Sequence, residues 1–363
     1  MLTVEEFREQ ARGWIEANRH DAPPDWGAIM PPESRDAGMA WQKRIHDAGF
    51  AGIHWPAEYG GRGLSVDHHR AWAEECQAVG VPSILNMVGL VLAAGGLLQF
   101  GTEAQKSAHL PETVQGDRVW CQLFSEPDAG SDLAGLSTRA ELDGDTWIVN
   151  GQKVWTSAAR ASDWGILMAR TEPDVSKHEG ISFFVIDMGT PGIETRPLRQ
   201  MTGEAEFDEV FLVDVELPSD ALIGERGQGW GIAMAALTSE RGHIGGTTRT
   251  VERAIDDLVR RHPNVDPVSR ARLAGVVLRG RAHLAMITAG GAHPSLGKLA
   301  MADYRFEMAE LDADLSGADA MLASRSADHL LRAPGGWFGG GTTQVQRNII
   351  GERVLGLPRE PRP

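Results

Sequence analysis

The hydrophobic period of this chain changes twice, and that restricts the fold more than anything else in it. Apolar residues first recur every three to four positions. Thr3 and Glu6 form a capping-box pattern ahead of Phe7, Ala11, Trp14 and Ile15, which fall on one helical face. Thr102 with Gln105 repeats the pattern, and Ser65 with His68 opens another helix in the same region. From about Arg118 the period becomes two. Arg118 to Phe124, Leu136 to Leu142, Thr146 to Val149, Lys153 to Thr156, Gly165 to Ala169, Ile181 to Ile186 and Glu209 to Val215 read as short strands, with tight turns expected at Asp143-Gly144-Asp145 and Asn150-Gly151. After Pro218 a glycine-rich stretch, Gly224 to Gly231, leads back into helical sequence that runs to about Arg353, with breaks near Pro263 and Pro294. The expected fold is α+β: an N-terminal helical domain over 1–117, a middle, mainly antiparallel β domain over 118–222, and a C-terminal helical bundle over 223–363.

Composition narrows the function classes. A formal net charge of -15 disfavours nucleic acid as a partner, because that binding needs clustered Lys and Arg. An anionic ligand would need local cations or backbone N–H groups. Cys76 and Cys121 are far apart and lie in no metal-ligand or CxxC pattern, so structural thiols and no metal site are expected. The acidic, amphipathic start of the chain is unlike an export signal, from which a cytoplasmic location is expected. The apolar run from Ile84 to Phe100 is interrupted by Asn86 and three glycines and is barely long enough to span a bilayer. It reads as a buried core helix, with no membrane association.

The most specific stretch is Phe124-Ser125-Glu126-Pro127-Asp128-Ala129-Gly130-Ser131-Asp132, followed by Asn150-Gly151-Gln152-Lys153-Val154-Trp155-Thr156-Ser157. Small and hydroxyl-bearing residues at a strand end, Ser125, Gly130 and Ser131, let a flat ring approach the backbone while offering hydrogen bonds to its polar edge. Trp155 adds an aromatic face and Ser157 a hydroxyl. Both segments resemble the flavin-binding signatures of the acyl-CoA dehydrogenase family. The similarity extends to Arg196-Pro197-Leu198, Met201-Thr202-Gly203 and Gly341-Thr342-Thr343-Gln344-Val345-Gln346-Arg347, in the family's order along essentially the whole chain.

The resemblance implies an FAD held by Phe124, Ser125, Gly130, Ser131, Trp155, Thr156 and Ser157. In it Trp155 packs on the isoalloxazine ring, Ser157 reaches the N5 side and Ser131 also meets substrate. Thr342 and Gln344 match positions that touch the adenosine end of the flavin, often across a subunit boundary; an N-cap threonine and a polar helix face are equally compatible with them. Arg261 stands where many homotetrameric relatives carry an Arg-x-x-Phe-Gly motif for a neighbour's pyrophosphate, although here it is followed by His262-Pro263-Asn264-Val265.

Removing the proton beside a thioester carbonyl requires a base, and a carboxylate with a raised pKa suits the task. Many family members place that Glu immediately before the Gly-Thr of the C-terminal signature, where this chain has Gly340. A second branch, the isovaleryl- and long-chain-type enzymes, places it on the first long helix of the C-terminal domain beside an Arg, which Glu240-Arg241 matches. Glu240 is therefore the expected base, with Arg241 supporting it. The resemblance implies FAD-dependent α,β-dehydrogenation of an acyl-CoA to the trans-2-enoyl-CoA, Glu240 taking the α-proton and hydride passing to flavin N5. It also implies electron-transferring flavoprotein as the electron acceptor, and a homotetramer or a heterotetramer with a paralogous subunit. Two other readings are a non-catalytic or half-site subunit of a heteromeric enzyme, and a monooxygenase or nitroalkane-oxidising relative.

Overall fold

The computed structural model of the chain describes residues 2–26, 30–244, 248–288 and 293–359; side chains are described for all of these except 238–244, 248–250 and 287–288. Two compact units result, Met1–Glu240 and Arg241–Pro363.

The first unit opens with α1 (Val4–Asn18), α2 (Arg35–Asp47) and α3 (Val66–Val79). The Thr3–Glu6 capping box forms as the sequence indicates, and Phe7, Ala11 and Ile15 face inward. Ser65 precedes α3, but its hydroxyl meets the His68 ring at 2.7 Å and caps no backbone N–H. A π-helical stretch, Val88–Ala93, is buried throughout and runs into α4 (Ala94–Phe100), whose first turn is largely buried and whose end, Gln99 and Phe100, is exposed. The Ile84 to Phe100 run is thus core but for its exposed end, and among the described residues no helix is long and apolar enough to cross a membrane. A second capping box, Thr102 with Gln105, starts α5 (Glu103–Gln115). Cys76 and Cys121 are buried free thiols.

The sheet contains β1 (Trp120–Leu123), β2 (Arg139–Asp143), β3 (Thr146–Ser157), β4 (Trp164–Arg170), β5 (Ile181–Asp187), β6 (Ile193–Leu198), β7 (Phe207–Pro218) and β8 (Leu222–Ile223). Its order is β6-β7-β3-β2-β4-β5-β8, with β1 on β4. Pairing is antiparallel except for β1 with β4 and a single β2–β4 position. One core joins the N-terminal helices to one face of the sheet and to Ile232, Ala233 and Ala236. Trp147, Phe184, Val210 and Leu217 fill the other face.

One sequence expectation is corrected here. Asn150-Gly151 makes no turn, because β3 runs unbroken through it and pairs with β7 on both sides. At Gly151 a Cβ would lie 2.3 Å from the Thr138 hydroxyl, so glycine serves close backbone approach rather than chain reversal. Asn150 donates to the Asp214 carboxylate at 3.0 Å and accepts from its N–H at 2.9 Å, beside a register shift that holds Asp214 at φ 50°. The pair anchors a β-bulge. The expected turn at Asp143-Gly144-Asp145 does form.

Beyond the sheet, α6 (Gly229–Ile244) carries the chain to the end of the first unit. The second unit comprises α7 (Thr248–Arg261), α8 (Pro267–Thr288), α9 (Pro294–Ser316), α10 (Arg325–Arg332), α11 (Gly335–Phe338) and α12 (Thr343–Ile349). Its apolar centre includes Val251, Ile255, Leu258, Val276, Tyr304 and Leu311. The helix breaks fall where Pro263 and Pro294 indicate.

Candidate active site

The two signature segments of the first unit meet at the C-terminal end of β3. Lys153 pairs with Val210 and Thr156 with Asp208, so β3 carries one more residue than β7 across this interval. The extra residue forms a bulge, and Trp155 within it has φ 58°. A left-handed conformation costs a non-glycine residue about 1–2 kcal/mol, so surrounding contacts must enforce it. The consequence is exposure: Trp155 is 59% accessible, and the Phe207 ring lies edge-on to it at 5.9 Å.

Both sides of the bulge are fastened. The Val154 N–H donates to the Ser125 carbonyl at 2.9 Å, and the Lys153 ammonium donates to the Phe124 carbonyl at 3.1 Å and to Glu126 at 2.8 Å. Glu126 also accepts from the Ser137 N–H at 2.6 Å, the Ser137 hydroxyl at 2.8 Å and the Thr138 N–H at 2.9 Å. Beyond Ser157, the Ala158 N–H donates to the Glu206 carbonyl at 2.9 Å, and Arg160 donates to the buried Asp208 carboxylate through both its N–H and its guanidinium. Burial acts to raise the Glu126 pKa, but the Lys153 charge and the hydrogen bonds from 137–138 outweigh it and hold the carboxyl at about 2. Burial also draws Lys153 down to about 8, against the pull of Glu126. Both groups are charged at neutral pH.

The expected cofactor residues separate by what they present. Trp155, Gly130 and Ser131 are exposed, Ser125 and Ser157 are half-buried, and a Cβ on Gly130 would meet nothing within 4 Å. An exposed aromatic face and accessible hydroxyls of this kind are the groups that a flat heteroaromatic ring would use. Phe124 is in the core, edge-on to Phe183 at 5.9 Å, and Thr156 is fully buried with its hydroxyl unpartnered. Both residues lie beneath the surface rather than on it, with Thr156 paired to Asp208 in the sheet and the Phe124 carbonyl taken by Lys153. Sequence reasoning gave no role to Glu126, Lys153, Arg160 or Asp208. The available signal was a Lys in an otherwise apolar inward register, but a strand pattern does not state which face is buried.

In the second unit, Thr342 caps α12, its hydroxyl accepting from the Val345 N–H at 3.3 Å, and Gln344 is exposed on the same helix. Gly340 has φ 67° and Gly341 φ 90°, so a Glu at position 340 would be strained. Arg261 is engaged within its own unit, donating to Asp257 at 3.0 Å and to the buried Asp312, which His262 also contacts at 2.8 Å. The backbone of Glu240 and Arg241 belongs to α6, but their side chains lie outside the described residues.

Three family models match the chain in order: acyl-CoA dehydrogenase N-terminal domain at residues 3–117, middle domain at 121–215 and C-terminal domain at 227–355. Acyl-CoA dehydrogenase IpdE1 of Mycobacterium tuberculosis is 39% identical over 99% of both chains. The chain belongs to the acyl-CoA dehydrogenase family. Among solved structures, the Tcur3481-Tcur3483 steroid ACAD superposes with a TM-score of 0.83 at 26% identity over 98% of each chain. The ChsE4-ChsE5 complex from Mycobacterium tuberculosis gives 0.80 at 26% identity, again over 98% of each. As an acyl-CoA dehydrogenase the chain is an oxidoreductase, and its helix–sheet–helix order is the family's α+β architecture.

Proposed function

We propose that this acyl-CoA dehydrogenase binds FAD on the surface around Trp155 and oxidises the α,β bond of an acyl-CoA thioester to the trans-2-enoyl product, with Glu240 as the base. The observation that carries the reading is the outward Trp155, held in a left-handed bulge whose preceding residue, Val154, is bonded to Ser125 of the other signature segment. Trp155 would stack on the flavin, Ser157 would bond its N5 edge, and Ser125 and Ser131 would bond its remaining polar edge, with Ser131 also meeting the substrate. Phe124 and Thr156 would support that surface from beneath. When bound, the flavin supplies the two-electron acceptor for the β-hydride, and electron-transferring flavoprotein would then take the electrons. Glu240 would hold the α-proton as a carboxylic acid, with Arg241 beside it in the chain setting its charge state. The strained geometry at Gly340 supports placing the base on α6. Division into 1–117, 118–222 and 223–363 is likewise our proposal, supported by the spans of the three family models.

We further propose that the functional unit is a heterotetramer with a paralogous subunit and that the substrate carries a steroid side chain. Two structural neighbours are two-chain assemblies by title, and one is titled a steroid ACAD. The carboxylates around Arg261 favour the same reading, since a pyrophosphate reaching Arg261 would have to compete with Asp257 and Asp312. Thr342 and Gln344 would remain for the adenosine end. The test is purification of this chain alone and with a co-expressed paralogue, followed by flavin stoichiometry and anaerobic bleaching by straight-chain, branched and steroid-side-chain acyl-CoAs. Full flavin and bleaching only in the co-expressed form are expected; a stable, fully loaded homotetramer would remove the heteromeric reading. Reduction by a nitroalkane and by no thioester would overturn the reaction assignment.

A further inference from the structure

We propose that the buried Lys153–Glu126 pair is a positioning device that fixes the β3 bulge and so presents the Trp155 ring outward in a single orientation. The inference rests on reading Trp155 as the flavin-facing aromatic, but its physical basis lies in the chain itself. A tryptophan at φ 58° returns to the ordinary extended conformation unless both flanks are held. Lys153, two residues before it, has no accessible surface and donates to both Phe124 and Glu126. Every oxygen of Glu126 is used, Oε1 by Lys153 and Thr138, Oε2 by the Ser137 N–H and hydroxyl. One carboxylate thus joins three passages of chain, at 124–126, 137–138 and 153–154, and the Val154–Ser125 bond locks the residue adjoining Trp155.

Electrostatics explains why such a pair serves geometry rather than stability. Folding lowers the Glu126 pKa from 4.5 to about 2 and the Lys153 pKa from 10.5 to about 8. The attraction between the two charges works against the cost of burying them, so such a pair is weak evidence for stability. What an apolar replacement would lose is the directionality of five hydrogen bonds, not burial.

The test uses the full chain labelled with 5-fluorotryptophan, its eleven tryptophans giving resolvable ¹⁹F resonances and Trp155→Phe assigning the one that matters. The wild type is compared with the double variant Glu126→Leu/Lys153→Met, before and after FAD is added. We expect one narrow Trp155 resonance in the wild type. In the double variant it should shift and broaden at a melting temperature within a few degrees of wild type, with at least tenfold weaker FAD binding. Adding Trp155→Phe to the double variant should weaken FAD binding little further. An unchanged Trp155 resonance in the folded double variant overturns the proposal. The FAD arm uses the chain co-expressed with its paralogue; if that wild-type assembly binds no FAD, the flavin reading fails while the ¹⁹F comparison still decides the positioning role. Should the double variant not fold, Glu126→Gln carries the same comparison and the same two outcomes.

Discussion

The β sheet of the first unit and the helices of the second treat apolar surface in opposite ways. In the sheet, both faces are filled, and the exposed tryptophan is one that a strained bulge pushes outward. In the second unit large apolar residues stay accessible on helices and in the segments between and after them, among them Val268, Leu278, Leu322 and Leu357, with Met321 87% and Phe338 67% exposed. Its buried centre is smaller, although it holds a charged cluster of Arg261, His262 and Asp312. Exposed apolar residues on this scale fit surface reserved for another polypeptide. The first unit also leaves apolar residues accessible, among them Met201 and Val213, but over a chain about twice as long, so exposed apolar side chains are denser in the second unit.

Breaking the Lys153–Glu126 pair from one side attacks the first half of this contrast most strongly. Lys153→Met leaves a buried carboxylate without its counter-charge and should cost about 3–5 kcal/mol, read as a fall in melting temperature, whereas removing both partners should cost far less. Equal losses would mean that the sheet tolerates an uncompensated charge and that the bulge is held by other contacts.

Acid sharpens the same point. Because the Glu126 carboxyl is held below its ordinary value, its contribution is fully present above about pH 4.5 and is lost as pH falls toward about 2. On the order of 3 kcal/mol should disappear over that window. Glu126→Gln should flatten this part of the pH–stability curve, measured by denaturant melts against the wild type.

Placing charge on the second unit's exposed face breaks the other half. Leu278→Lys with Met321→Lys should leave the unfolding midpoint of the isolated chain within about 0.5 kcal/mol, since neither side chain is packed. The same variant should fail to assemble with the co-expressed paralogue in analytical ultracentrifugation. Unimpaired assembly would show that this face is free surface. The smallest effect is local: Thr342→Ala removes the N-cap of α12 and should destabilise the second unit by about 1 kcal/mol, visible as faster amide exchange in α12.

Sequence periodicity carried the fold because capping boxes and inward-facing stripes act locally. Thr3–Glu6 and Thr102–Gln105 need only their own helices to form. It missed β6, an edge strand containing Pro197 and exposed or half-buried throughout, because a strand without a buried face leaves no alternation to read. It misread Asn150-Gly151 because the dipeptide that favours a hairpin also suits a bulge, and only the cross-strand Asp214 and the encroaching Thr138 decide between them. In the candidate site, motif chemistry singled out Trp155, Gly130 and Ser131, which the structure leaves exposed. The buried support beneath them was not legible: Lys153 reaches a carboxylate 27 positions away, and nothing local to either residue announces the pairing.

The most direct test of the account is the reductive half-reaction. FAD-loaded enzyme, with its paralogue if loading requires one, is mixed anaerobically with an acyl-CoA, and wild type is compared with Glu240→Gln in a stopped-flow spectrometer. Rapid bleaching of the flavin band is expected in the wild type, and bleaching slowed by about 10²–10⁴-fold in the variant with FAD content unchanged. Equal bleaching rates in the two proteins would contradict it and move the base away from Glu240.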